Sequence, residues 1–240
     1  MNIHLLPGDS YIETFRNSEI GGEVAICREC LIEGDVNADD LASFWLVREK
    51  FLDENFGQTG GQDYPEKVVS EFEKLCDPDV KEIYLWFEYE LFCSVNMWFC
   101  LSLLTDSSAT IYRVAPIVVD ERDIWKGFGN LKSEDYRACF SKRIKFSNAE
   151  ILLGANLWKA FQNKDLERLY ELGQTKSKGF PKLKEVCNAE IEKETRPKNT
   201  LKKIIETGET DFGKIFTKFK EIEGVYGFGD SQVKRILREI

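Results

Sequence analysis

Apolar residues recur at two periods along this chain. Short apolar runs bounded by turn residues alternate with helical-period stretches through residue 114, and only helical periods follow Trp125. Asn2–Leu6 reads as a strand that runs into a Gly8-Asp9-Ser10 turn. Ser10-x-x-Glu13 is a capping-box pattern for a helix with Tyr11, Ile12 and Phe15 on its apolar face. Val24–Cys27 is a second strand, followed by the polar turn Arg28-Glu29 and Glu33-Gly34-Asp35. Asp39 or Asp40 caps a helix bearing Leu41, Phe44, Trp45 and Phe51, and Gly57–Gly61 reads as a loop. Pro65–Cys76 is helical and stops at Asp77-Pro78. Ile83–Phe87 is a continuous apolar run suited to a sheet centre. Leu91–Leu104 is a helix apolar nearly all round, and Ala109–Val114 is a fourth strand. Strands alternating with helices predict an α/β fold with a parallel sheet of about four strands.

Beyond residue 125 the pattern is helical. Ser147-x-x-Glu150 is a second capping box, for a helix with Ile151, Ala155 and Trp158 inward. Asp165–Leu172 continues helical, and the basic stretch Gln174–Lys184, interrupted by Gly179 and Pro181, reads as a boundary. Helices near Leu183–Glu194, Leu201–Glu206 and Phe212–Ile222 follow. A Gly-punctuated extended piece, Gly224–Gly229, leads to a last helix capped by Asp230, with Val233, Ile236 and Leu237 inward. The expected division is an acidic α/β domain over 1–120, a helical extension over 121–175 and a helix-turn-helix or winged-helix-like module over 180–240.

Charge sharpens that division. Residues 1–120 carry 8 Lys and Arg against 23 Asp and Glu, a net of −15. Residues 121–240 carry 25 against 19, a net of +6. The acidic half disfavours contact with nucleic acid or anionic lipid. No apolar run is long enough to cross a membrane, and the chain does not open with a basic segment followed by an apolar one. Seven cysteines without regular spacing fit a reducing compartment, so the expectation is a cytoplasmic protein with no membrane partner.

Candidate chemistry gathers where strand ends meet. In a parallel sheet the carboxyl ends of the first three strands would bring together Gly8, Asp9, Ser10, Arg28, Glu33, Glu88 and Glu90. Ser10 and the turn at Gly8 could cradle a phosphate, with Arg28 gripping it bidentately. The carboxylates could hold a divalent cation such as Mg²⁺. The structural alternative is that Asp9 and Ser10 cap a helix, Arg28 pairs with Glu33, and Glu88 and Glu90 face water. His4, the only histidine, lies inside a strand and is expected to be a satisfied core residue. Cys27-x-x-Cys30 has no second pair to complete a zinc site, and Cys93 and Cys100 read as small buried residues on a helix. There is no P-loop and no G-x-G-x-x-G motif.

Several segments resemble a bacterial family of proteins of unknown function, the domain numbered eighteen thirty-five with its C-terminal helical domain. The likeness rests on His4-x-x-x-Gly8-Asp9-Ser10, Arg28-Glu29 before Glu33-Gly34, Trp86-Phe87-Glu88 with Leu91, Gly127–Leu131, the helix through Trp158 and Phe161, and Phe228-Gly229-Asp230. Asp35 stands where that family has Pro, and Tyr89-Glu90 where it has His-Asp. A family chemistry that used that His would be absent here, and the resemblance brings no reaction with it. Two classes remain. The first is an enzyme or sensor for a small phosphorylated ligand or nucleotide, with its reaction and oligomeric state open. The second is a DNA-associated regulator using Lys202, Lys203, Lys214, Lys218, Lys220, Lys234, Arg235 and Arg238. Glu192, Glu194, Glu206 and Glu221 interrupt that basic face, so nucleic acid is the less favoured partner.

Overall fold

A computed structural model describes residues 1–56 and 63–240; the expected loop Gly57–Gly61 lies outside the described residues. Five strands, β1 (Asn2–Leu6), β2 (Glu23–Ile26), β3 (Glu82–Trp86), β4 (Thr110–Val114) and β5 (Ile144–Lys145), form one sheet in the order β2-β1-β3-β4-β5. The first four are parallel, and β5 runs antiparallel to β4. The sheet is therefore larger than the four strands expected. β5 spans two residues in a basic context and offers no alternation to read; the Phe146 amide extends its pairing by donating to Ile111 O at 2.9 Å.

The helices are α1 (Ile12–Asn17), α2 (Leu41–Phe56), α3 (Ser70–Glu73), α4 (Leu91–Leu103), α5 (Ser133–Ser141), α6 (Asn148–Gln162), α7 (Leu166–Gly173), α8 (Leu183–Ile191), α9 (Arg196–Glu206), α10 (Phe212–Glu223) and α11 (Asp230–Leu237). A wide π turn over Pro65–Val69 and a 3-10 turn over Lys74–Cys76 flank α3. Alternate residues of the strands enter two cores. Ile3, Leu5, Ile83 and Leu85 join the larger one, with α2, α4, α6 and the C-terminal helices; Leu6, Tyr84 and Trp86 join Phe15, Phe128 and Tyr136 on the other face. Burial on both faces explains the unbroken apolar run of β3.

Local signals had mixed outcomes. Asp40 caps α2, its carboxylate accepting from the Ser43 amide at 2.7 Å. The Ser147–Glu150 capping box forms with both bonds. The Ser10–Glu13 box does not form: a 3-10 turn over Asp9–Tyr11 leads into α1, and no side chain caps it. The extended piece expected at 224–229 is a 3-10 turn over Gly224–Tyr226, and no strand follows β5 among the described residues.

The basic stretch 174–184 is stitched to its surroundings. Glu150 Oε1 accepts from Ser177 Oγ at 2.6 Å and the Gly179 amide at 3.0 Å, and Phe180 is buried in the larger core. Burial alone would raise the Glu150 carboxyl, but donors from Ser147, Ser177 and Gly179 bring it down to about 2. One apolar cluster runs from Ile3 to Val233, through α4 and α6 and into α8–α11.

His4 is fully buried. Its Nδ1 accepts from Trp86 Nε1 at 3.1 Å, its Nε2 donates to Gly21 O at 3.2 Å, and its ring stacks on Tyr84 at 4.6 Å. Burial lowers its pKa from 6.5 to about 4. The folded state thus takes up the proton later than the unfolded state on acidification. Stability from the neutral ring is complete above pH ~6.5 and falls as pH drops towards ~4. With a single imidazole in the chain, its proton NMR titration is unambiguous. The expected midpoint lies near 4, and a midpoint near 6.5 would mean the ring is hydrated.

Candidate functional site

The strand order reverses between β1 and β3, which places a crevice at their carboxyl ends. The β1 exit carries Gly8-Asp9-Ser10-Tyr11 and the β3 exit carries Phe87–Glu90. Tyr11 bridges them, its hydroxyl donating to Glu88 Oε1 at 3.1 Å. The same oxygen accepts the Phe128 amide at 2.6 Å. Glu90, 4% exposed, caps α4 by accepting the Cys93 amide on Oε2 at 2.7 Å. Burial raises the Glu88 carboxyl, with the Phe128 and Tyr11 donors opposing it. Burial, and then the charge of Glu88, raise Glu90 further. Glu88, Glu90 and Cys93 present ligand atoms that all lie within 4.8 Å of one another.

Two glycines make this burial possible. Gly127 (φ 69°) and Gly227 (φ 68°) hold the left-handed conformation that a side chain disfavours. A Cβ on Gly127 would sit 2.1 Å from the Glu88 carboxyl carbon, and one on Gly227 would sit 2.5 Å from that of Glu90. From β4, Arg113 donates to Glu88 O at 3.0 Å and to Gly179 O at 2.7 Å, with its guanidinium 4.9 Å from the centre of the Tyr89 ring.

The β2 exit separates neighbouring residues into different roles. Arg28 binds Asp9 through Nε and Nη2, the shortest contact being 2.8 Å, and donates to Lys67 O at 2.6 Å. Asp9 is held below the usual carboxylate range by its hydrogen bonds from Arg28. Glu29 turns inward to Arg48 (2.9 Å), Tyr64 Oη (2.5 Å) and the Cys30 amide (3.0 Å). Arg48 also binds the carbonyls of Cys30, Glu33 and Asp35, and Asn96 fastens Glu29 O and the Leu31 amide. This network holds the β2–α2 loop over α4. Burial raises the Cys27 thiol to about 12 and the Cys30 thiol higher, so the pair does not supply thiolates.

Glu33 is held by Arg235 of α11, with Nη2 to Oε1 at 2.5 Å and Nη1 to Oε2 at 3.2 Å. That pair lines a cleft of about 360 Å³ with Phe51, Lys164, Lys193, Lys198, Phe228 and Glu239 among its walls. Lys198 pairs with Glu239 at 2.8 Å and Lys193 with Glu190 at 2.7 Å. Phe228 follows Gly227, so the cleft and the buried acids meet at adjacent residues.

The residues expected to converge therefore fall into three groups. Asp9 and Arg28 bind each other, beside Gly8 and an exposed Ser10; Glu88 and Glu90 are buried together instead of facing water; Glu33 lies with Arg235, not Arg28. Sequence reasoning missed Tyr11 as a polar bridge, Arg48, Cys93 and Arg113. An arginine within the apolar runs of α2 and β4, and a cysteine three residues after a helix-capping glutamate, were the available signals. No protein-family model, curated protein or solved structure matches the chain.

The contrast between Arg48 and Arg28 is measurable. Arg48→Ala leaves the Glu29 carboxylate buried without its cation and is expected to cost about 3–5 kcal/mol in urea unfolding. Arg28→Ala breaks a half-exposed pair and is expected to cost about 1 kcal/mol or less.

Proposed function

We propose that the chain binds a small phosphorylated ligand of the nucleotide class in the cleft between the β2–α2 loop and helices α9 and α11. The observation that carries this reading is the composition of the cleft walls. Lys164, Lys193, Lys198 and Arg235 bring four cations against Glu33, Glu194 and Glu239, and Phe51 and Phe228 contribute to the walls, Phe51 beneath Arg48 and Phe228 packed on Tyr226 and Phe219. Cations suit phosphate oxygens, and an aromatic wall suits a planar base. The volume falls in the range of small-molecule sites, roughly 300–1,000 Å³.

A divalent cation enters this reading at Glu88, Glu90 and Cys93, the set with three metal-type ligand atoms within reach among the described residues. Burial and the neighbouring acids push the Cys93 thiol well up, so the two carboxyl groups are the donors this set offers to a divalent cation such as Mg²⁺. The DNA-associated alternative gains no specific support. Lys218, Lys234 and Arg235 of the basic helices are paired with Glu209, Asp230 and Glu33.

Thermal shift with ATP, ADP, GMP and inorganic phosphate, each with and without Mg²⁺ or Mn²⁺, tests the reading. At least one nucleotide is expected to raise the Tm of the wild-type chain. Lys164→Ala combined with Lys198→Ala should abolish that rise, while Asp9→Ala should keep it. Absence of any nucleotide-dependent rise, or a rise unchanged in the double variant, overturns the cleft assignment.

A further inference from the structure

A second recess opens beside the cleft, between the β2–α2 loop and the carboxyl end of α6. It measures about 510 Å³ and is lined by Gly34, Asp35, Asn37, Gln162, Asn163 and Lys164. Gly34 and Lys164 line the cleft as well, so the two cavities are lobes of one groove that meet at these residues. Gly34 is left-handed (φ 75°), and a Cβ there would run into the Phe51 ring, so the loop passes the junction as bare backbone. Gln162 ties the two walls of the recess together, its Nε2 donating to Val36 O at 2.8 Å.

Lys164 stands at the junction in an uncommon backbone state. Its φ of 56° is one of two positive values at non-glycine residues among those described. The end of α6 is a Schellman motif: the Lys164 amide donates to Phe161 O at 3.0 Å and the Asp165 amide to Ala160 O at 2.9 Å. Glycine is the usual residue at that left-handed position, because a Cβ is disfavoured there. Lys164 also differs from the other cations of the cleft. Lys193, Lys198 and Arg235 pair with Glu190, Glu239 and Glu33, whereas Lys164 has no ion pair among the described residues. A lysine at a glycine position, with an unpaired ammonium between two cavities, is placed for an anion at the point where the lobes join.

The lobes differ in chemistry. Apart from Lys164, the recess has no cation and no aromatic ring on its walls. The Asn37 and Asn163 side chains have no partner among the described residues, and Gln162 keeps its amide oxygen. Asp35 gives one carboxylate oxygen to the Asn37 amide at 3.0 Å and keeps the other. Carboxamides both donate and accept, and a carboxylate accepts; hydroxyl groups satisfy that set. A further phosphate would meet Asp35 there, and a base would find no ring to stack on.

We infer that the groove takes a nucleoside diphosphate sugar, with the diphosphate in the cationic lobe, its outer phosphate on Lys164, and the sugar hydroxyls in the recess on Asp35, Asn37 and Asn163. This inference rests on the nucleotide reading of the cleft and adds to it a sugar subsite and the residue that joins the two.

The test is calorimetric titration of the full chain with ADP, UDP and GDP, and with ADP-glucose, UDP-glucose and GDP-mannose. At least one sugar-bearing ligand is expected to bind about tenfold tighter than its parent diphosphate, as a few added hydrogen bonds would give. Asn37→Ala combined with Asn163→Ala, both exposed positions, should remove that gain and leave the parent diphosphate unchanged. Lys164→Gly suits the left-handed turn, so it keeps the helix end, and it should weaken the parent and sugar-bearing ligands alike. Diphosphates that bind with no gain from the sugar overturn the inference and leave the nucleotide reading standing. So does a gain that survives in the double asparagine variant, or wild-type affinity in Lys164→Gly. If 2′,3′-dideoxy-ADP binds more weakly than ADP while the attached sugar adds nothing, the recess holds the nucleotide's own ribose and the inference is equally overturned. No binding by any of the six ligands overturns the nucleotide reading itself, and this inference with it.

Discussion

Glu88 and Glu90 leave the central strand with two carboxyl groups and no lysine or arginine bonded to either among the described residues. The exits of β1 and β3 meet around that constraint. The Tyr11 hydroxyl and the Phe128 amide supply donors to one acid, and the Cys93 amide supplies a donor to the other. Because an ionised carboxylate without a partner is costly to bury, the pair favours retaining a proton. Arg113, one strand away, then has no fully charged acid to oppose it. An acid pair that tends towards neutrality and an arginine that stays charged are two sides of one electrostatic balance.

The β2 exit solves the related problem differently. Glu29 is also buried, but Arg48 neutralises it and Tyr64 and Asn96 complete the cage. That cage gives the β2–α2 loop a rigid base, and the loop carries Glu33 to meet Arg235. A helix 200 residues later is therefore tied to the sheet edge through a pair whose inner member is fixed from below. The acidic first half and the basic second half of the chain meet at this point.

The sheet was legible because its strands are short apolar runs, β1 and β4 closing on Pro7-Gly8 and Pro116 and β2 and β3 on charged residues, signals that act locally. The fifth strand was not legible, since two residues, Ile144 and Lys145, following Lys142-Arg143, show no alternation. The Ser10–Glu13 box failed although its spacing was right, because the backbone enters α1 through a 3-10 turn that Asp9–Tyr11 adopt first. Which acids would meet at the sheet edge was partly readable: topology places Glu88 and Glu90 at the exit of β3. Their burial was not readable, since it is imposed by Gly127 and Gly227, which come from turns far along the chain. Likewise Glu29 and Arg28 look alike in sequence, and only the position of Arg48 in α2 decides which of them turns inward.

The two Gly-Phe-Gly turns, at 127–129 and 227–229, also bear on how the molecule assembles. Each seats one member of the acid pair, and the second lies more than a hundred residues from the acid it covers. Contacts of such separation are the slow ones to form, because a long stretch of chain must be immobilised before they contribute. Until the second turn docks, Glu90 stays hydrated and ionises as an ordinary surface acid. Closing the fold therefore couples to proton uptake, so refolding under neutral conditions should draw protons from the buffer late, with docking of the last helices, and not with formation of the sheet.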